Sequence, residues 1–213
     1  MKLYNYFRSS AAYRVRIALA VKGLQFEHAG VHLMKGEQYS DAYAAVNPQK
    51  LVPVLDDDGA RLFQSLAIIE YLEETCPEPP LLPRTSAARN RVRSLAMLIA
   101  CEIHPLNNPR VLKYLTEQFG IDELQKNQWY AHWVTQGFTA LEQRLAQESD
   151  TGRYCHGDTI TLADCVLVPQ VANAVRFNVD LTPFATIRRI EAECQKLSAF
   201  QRAAPANQPD AAA

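Results

Sequence analysis

The spacing of apolar and polar residues divides this chain into an opening that mixes strand and helix patterns and a longer remainder that is helical by period. Lys2 to Tyr6 (KLYNY) is short and β-prone. Behind it Ala11, Val15, Ala18 and Leu19 recur at three- and four-residue spacing, the mark of one buried helical face. Lys22-Gly23 ends that helix with a cation and a glycine. A second extended segment is predicted over Leu24 to Leu33, so strand, helix and strand make a βαβ unit with a right-handed crossover and parallel strands.

Gln38 to Val46 gives a short, mixed helical pattern closed by Asn47-Pro48. Leu51 to Leu55 (LVPVL) reads as a strand interrupted by Pro53, which cannot donate to a sheet ladder. Two readings stand side by side. The Val52-Pro53 bond is cis and Val52 offers its N–H and C=O sideways to an extended ligand, or this is an edge strand with a trans proline. Asp56 to Gly59 (DDDG) is a turn that joins antiparallel strands, pairing Val54-Leu55 with Arg61 to Phe63. Ser65 is then predicted to cap a helix through Ile68, Ile69 and Leu72. The resulting order, β-α-β-α-β-β-α, is that of a thioredoxin-like domain.

Cys76 to Arg84 (CPEPPLLPR) breaks the pattern, because four prolines continue neither a helix nor a central strand. It is read as an interdomain linker, with domains at 1–83 and 84–213. Beyond it Val92, Leu95, Ala96 and Ile99, then Val134, Phe138, Leu141 and Leu145, then Ile187, Ile190, Cys194 and Leu197 keep helical spacing, so the second domain is an all-α bundle. Thr161 with Asp164 three residues on, and Ile160 before them, predicts a capped helix start of structural purpose. The tail from Ala203 (AAPANQPDAAA) is expected to fray.

Composition narrows the partners. A 48% hydrophobic content permits a substantial core, and a formal net charge of −1 gives no bulk electrostatic reason to bind nucleic acid or an anionic membrane. The five cysteines are scattered, without C-x-x-C or metal-ligand spacing. That suits a reducing cytoplasm, and no apolar run is long enough to span a bilayer. The candidate chemistry sits at Ser9 and Ser10, between the first strand and the first helix. Helix N–H groups and the dipole welcome an anion or thiolate there, and either serine also serves as an ordinary N-cap. Where redox relatives of this fold carry C-x-x-C, Ser9 to Ala12 read S-S-A-A, so a thiol used at this turn must be borrowed.

Taken together, the chain resembles a cytosolic glutathione transferase of the zeta class, the maleylacetoacetate and maleylpyruvate isomerases. The resemblance spans essentially the whole chain and rests on RSSAAYRVRIAL (8–19), NPQKLVPVL (47–55), QSLAIIEYLEE (64–74), PLLP (80–83), GDTITLADCVLVPQVANAVRF (157–177) and VDLTP (179–183). The class pattern S-S-C-x-W-R-V-R is departed from twice, at Ala11 and Tyr13. The resemblance implies glutathione as cofactor. Ser9 would assist the thiolate with Ser10 beside it, Val52 would pair with the cysteinyl backbone, and Gln64 and Ser65 would hold the γ-glutamyl end. Gln38, His104 and Asn108 would complete the peptide site. It further implies that Arg8, Arg110 and Arg176 meet the carboxylates of a small dicarboxylate substrate, and that the protein is a homodimer.

The implied reaction is cis-trans isomerisation of a maleyl oxo-acid to its fumaryl form, with glutathione a catalyst and not consumed. A conjugating transferase or peroxidase, and a noncatalytic binding protein on the same fold, are the rival readings. Energetically the serine turn is sufficient: lowering a thiol pKa by two units needs about 2.7 kcal/mol. A helix dipole supplies up to about 2 kcal/mol and a hydrogen bond to a charged group about 1.5 to 3 kcal/mol.

Overall fold

In the computed structural model, which describes residues 1–212, Lys2–Asn5 forms strand β1 and Ser10–Val21 forms helix α1. Then come β2 (Glu27–Gly30), α2 (Asp41–Ala44), β3 (Val54–Asp57), β4 (Ala60–Phe63) and α3 (Ser65–Thr75). This is the expected order. The sheet runs β2-β1-β3-β4, with β1 parallel to β2 and antiparallel to β3. The βαβ opening is therefore present, although β2 is shorter than the extended segment predicted over Leu24 to Leu33. Leu33–Lys35 and Glu37–Tyr39 are single 3-10 turns, and the mixed pattern over Gln38 to Val46 holds only the four residues of α2 as α-helix.

Between β3 and β4 the turn residues Asp58 and Gly59 have φ of 50° and 89°. Positive φ at both central positions is the type I′ geometry that matches strand twist, and Asp56 Oδ1 accepts the Gly59 N–H at 3.0 Å. The Val52-Pro53 bond is cis, and β3 begins only after the proline and is interior to the sheet. The edge-strand reading is thereby corrected: Pro53 interrupts no ladder because the ladder starts one residue later.

The chain divides into one compact unit of Met1–Leu81 joined by the segment from Gln195 on, and a second of Leu82–Cys194. Relative to the sequence boundary at 83/84, the last part of the chain goes with the first unit. There α9 (Ser198–Ala203) packs on α1. With α3 also against it, α1 is enclosed on several sides: Arg14 and Arg16 are 2% and 1% exposed, as buried as Val15 and Leu19. Buried cations need partners. Arg16 donates to Asn5 Oδ1 (2.6 Å), Ala203 O (3.0 Å) and Phe7 O (3.0 Å). Burial pushes its pKa down to about 10, against the pull of Tyr13 and Asp210.

Lys22, read as a helix-stopping cation, has a fully buried side chain. Its Nζ pairs with Glu73 Oε2 (2.9 Å) and donates to Cys76 O (2.7 Å) and Pro79 O (3.0 Å), while Glu73 Oε2 also accepts Leu81 N–H at 2.9 Å. The tail is a further correction. Instead of fraying it forms 3-10 turns at Pro205–Asn207 and Pro209–Ala212, with Gln208 Nε2 donating to Arg202 O (2.8 Å) and Ala204 O (3.0 Å).

The second unit is helical, as expected. It contains α4 (Ser86–Met97), α5 (Pro109–Phe119), α6 (Glu123–Gln147), α7 (Leu162–Arg176) and α8 (Ala185–Gln195). Leu197 does not extend α8; it is the N-cap of α9. Between α4 and α5, Leu98–Ile103 widens into a π turn in which His104 N–H reaches Ile99 O at 2.9 Å. Ile103 there lies against α6 at Gly137, where an added Cβ would stand 2.3 Å from its side chain. Only a glycine admits so close an approach. Arg91 of α4 binds Glu148 (2.5 Å), Thr151 Oγ1 (2.8 Å) and Cys155 O (2.7 Å), tying the α6–α7 connection to the bundle.

Candidate active site

The register of the sheet assembles the first unit's candidates. Tyr4 faces Val54 on β1 and β3, and Val54 faces Phe63 on β4. At that same end of the sheet Tyr6 follows β1, Val52 precedes β3 across the cis proline, and Ser65 opens α3 after β4. Tyr6 and Val52 do pack in one buried cluster with Val31, Tyr43 and Val54. The Ser9 turn follows Tyr6 directly, with Ser9 N–H donating to Tyr6 O at 2.9 Å.

Ser9 is the N-cap of α1: its φ and ψ are extended, and its Oγ accepts Ala12 N–H at 3.2 Å. Capping and ligand binding are compatible here, because a hydroxyl that accepts one bond keeps its own proton to donate. No acidic residue occupies the first turn of α1. No residue of that turn answers the dipole end with a negative charge. Ser10 is buried as the first residue of the helix, and Arg8 is exposed with its guanidinium 4.9 Å from the Phe7 ring centre.

Ser65 departs from its predicted role. The N-cap of α3 is Gln64, at φ 66° and ψ 117°, and makes no side-chain cap bond. A glutamine held there costs of order 1–3 kcal/mol, which marks sites where backbone direction matters more than local comfort. Ser65, 6% exposed, instead accepts a hydrogen bond from Arg14 Nη1 at 3.2 Å. With its oxygen receiving a guanidinium proton, the hydroxyl is set to donate, the polarity an anionic ligand requires. The sequence reading missed Arg14. Its only signal was a cation inside an otherwise apolar helical run.

Two further observations fit a bound peptide. Leu51 O is held by Tyr43 Oη and Asn47 Nδ2, both at 2.7 Å, whereas Val52 N–H and C=O make no hydrogen bond among the described residues. Val52 therefore keeps a donor and an acceptor for an added extended strand. Gln38, on the 3-10 turn Glu37–Tyr39, has its Oε1 shut from solvent without a hydrogen-bond partner. Such an orphan acceptor suits the N–H of a ligand. The Gln64 side chain bridges to Gln49 Oε1 at 3.0 Å.

The remaining candidates belong to the second unit. His104 closes the π turn. Asn108 is the N-cap of α5 and accepts Arg110 N–H at 3.1 Å, with Arg110 exposed in the first turn. Sequence reading gave this segment no helix, although Asn108 followed by Pro109 is a start signal. Arg176 ends α7, exposed, its guanidinium 4.8 Å from the Phe177 ring centre. That ring stacks on Tyr130 at 3.8 Å. Burial pushes the Tyr130 phenol up to about 12, while the charge of Arg176 draws it back.

Residues 1–74 match the family model for the glutathione S-transferase N-terminal domain. A maleylpyruvate isomerase from a Ralstonia species is 54% identical over 212 residues, covering all of both chains. Among solved structures, a maleylpyruvate isomerase described as a bacterial zeta-class glutathione S-transferase superposes with a TM-score of 0.97 at 54% identity, covering 99% of each chain. A maleylacetoacetate isomerase from Methylobacterium extorquens AM1, solved with malonate and glutathione bound, gives 0.97 at 42% identity over the full length of both chains. Similarity thus runs the full length of the chain, with Ala11 and Tyr13 as departures from the class pattern at the serine turn, and the chain belongs to the zeta class of the glutathione transferases.

Proposed function

We propose that this protein isomerises a maleyl oxo-acid, maleylpyruvate or maleylacetoacetate, to the fumaryl form with glutathione as a recycled cofactor. The observation that carries the proposal is the acid-free start of α1 with Ser9 as its cap. When bound, glutathione supplies a thiolate that adds to the activated double bond and departs after rotation about the resulting single bond. Ser9 donates its hydroxyl proton toward that sulfur. The N–H groups of the first turn add their dipole, so no histidine or lysine is needed as base. Val52 pairs through its backbone, and Ser65, polarised by Arg14, takes the γ-glutamyl carboxylate, with Gln38 and Gln64 beside it in role. His104 and Asn108 are assigned to the same peptide.

A maleyl oxo-acid carries two carboxylates and gains enolate charge on attack. Cations are therefore needed where a transferase of apolar substrates needs apolar walls. Arg8, Arg110 and Arg176 are assigned that work, because guanidinium forks fit planar carboxylates better than a lysine does. Relatives that carry maleylpyruvate and maleylacetoacetate isomerase names at high identity support this substrate class. The protein is taken to act in the cytoplasm as a homodimer. Among the described residues no helix is long and apolar enough to cross a membrane.

The test is a thiol titration before and after turnover on each diacid. Fumaryl product with glutathione undiminished is expected; stoichiometric loss of thiol would make the protein a conjugating transferase. Arg8→Ala and Arg176→Ala are each expected to raise the Michaelis constant for the diacid at least tenfold, about 1.4 kcal/mol, with glutathione affinity little changed.

A further inference from the structure

The C-terminal tail reaches the segment that carries Ser9. Asp210 Oδ2 accepts the Phe7 N–H at 2.9 Å, a bond spanning 203 positions of sequence. On the other side of the same residue, Phe7 O accepts from Arg16 Nη2 at 3.0 Å. Arg16 Nη1 donates to Asn5 Oδ1 at 2.6 Å, which fixes that amide's orientation and turns its Nδ2 toward His28 Nδ1 at 3.0 Å. Because Nδ1 accepts from Asn5, the proton of a neutral His28 sits on Nε2. That nitrogen lies 3.3 Å from Asp210 Oδ1, near in charge terms, although that oxygen accepts no hydrogen bond. The chain of contacts closes on itself: Asp210, Phe7, Arg16, Asn5, His28 and back to Asp210.

All five belong to the first unit. Around them the backbone is held at several points up to the site: Phe7 is held at both N–H and C=O, Ser9 N–H is held by Tyr6 O, and Ser9 O accepts Tyr13 N–H at 2.8 Å. The Asp210 side chain is 14% exposed, and its charge acts on the buried Arg16 guanidinium.

We propose that Asp210 is a positioning residue for Ser9: the tail carboxylate latches the Phe7 peptide and thereby sets the direction in which the Ser9 hydroxyl meets the thiolate. A shift of an ångström in a catalytic group suffices to lower turnover a hundredfold. A latch two residues upstream acts on that scale. The inference rests on the isomerase reading above.

The test compares the full-length protein with Asp210→Ala, Asp210→Asn and Gln208→Ala. Asp210→Ala is expected to lower kcat about tenfold and raise the pKa of bound glutathione, read from thiolate absorbance, while the Michaelis constant for glutathione stays within about twofold. Asp210→Asn keeps an acceptor for Phe7 N–H and is expected to recover most of kcat. Gln208→Ala loosens the tail without touching the ring of contacts and should move neither readout. Wild-type kcat and thiol pKa in Asp210→Ala would overturn the latch, as would an equal loss in Gln208→Ala. Should Asp210→Ala be insoluble, Asp210→Glu is read in its place, since it keeps the charge but displaces the carboxylate by one methylene; a fall in kcat at an unchanged thermal midpoint is expected. A wild-type enzyme without isomerase activity would overturn the isomerase reading alone. The latch would then be judged on amide exchange at Phe7 and Ser9, expected to quicken in Asp210→Ala and not in Gln208→Ala.

Discussion

Two of the helices that begin with a hydroxyl residue at the N-cap, α1 (Ser9) and α7 (Thr161), are built to opposite ends. At the start of α7, Asp164 is wholly buried and accepts Thr161 N–H (2.9 Å), Thr161 Oγ1 (2.9 Å) and Cys155 N–H (2.8 Å). The carboxylate sits in the first turn and answers the helix dipole from within. Burial raises its pKa above the ordinary carboxylate range, and the three donated bonds oppose that rise. At the start of α1, Ser9 satisfies one N–H and no acid follows. The closed start of α7 answers its dipole with a carboxylate of its own; the open start of α1 does not, and the proposed thiolate site uses that difference. The start of α4, capped by Thr85, likewise has no acid in its first turn, so the missing acid permits an anion without by itself defining a site.

The largest effect should come from opening the closed start. Asp164→Ala strands three buried donors and is expected to cost about 3 to 5 kcal/mol in denaturant unfolding, without altering the glutathione affinity of the protein that remains folded. A cost under about 1 kcal/mol would show that the box is ornamental and erase the contrast. Next in size, Ser9→Ala should lower turnover ten- to a hundredfold, as the loss of one hydrogen bond to a charged group implies. Its stability cost should be only about 1 kcal/mol, that of an ordinary cap. Unchanged thiolate absorbance and unchanged turnover would falsify the role given to Ser9, leaving Ser10 or the backbone amides as stabilisers.

The smallest change closes the open start. Ala11→Asp puts a carboxylate into the first turn of α1, where it should stabilise the helix by about 0.3 to 1 kcal/mol while raising the pKa of bound glutathione by about half a unit. Spectrophotometric titration of the complex reads the second effect. If stability and thiol pKa both stayed fixed, the dipole would not be the shared currency of the two starts.

The same contrast explains what could be read from the sequence. Thr161 and Asp164 are three residues apart, the DDDG turn is contiguous, and the βαβ opening is written in local periodicity, so each was legible. The features missed depend on partners far along the chain. Ser65 looked like a cap because serine before a helix usually is one; the positive φ of Gln64 and the guanidinium of Arg14 give it a different neighbour. Arg14 and Arg16 are buried only because α3 and α9, far along the chain, pack on α1. The tail had the composition of a frayed end, and nothing within ten residues of Asp210 announces Phe7. The helix α5 is a plainer miss, since its Asn-Pro start was in view and no helix was named there.

Lys22 carries the consequence of such distant partners into handling of the protein. By composition Cys76 to Leu81 is where a protease would be expected to nick, and Lys22-Gly23 is a tryptic site at a helix end. Yet the lysine's amine is enclosed, and it grips the carbonyls of Cys76 and Pro79 while its partner Glu73 grips Leu81. Trypsin, which must take the lysine side chain into its pocket, is expected to cut Lys22-Gly23 only after α1 and α3 separate. Acylating reagents should mark Lys22 after the other lysines, and a fragment that stops before Leu81 would take from Glu73 Oε2 the N–H it accepts there.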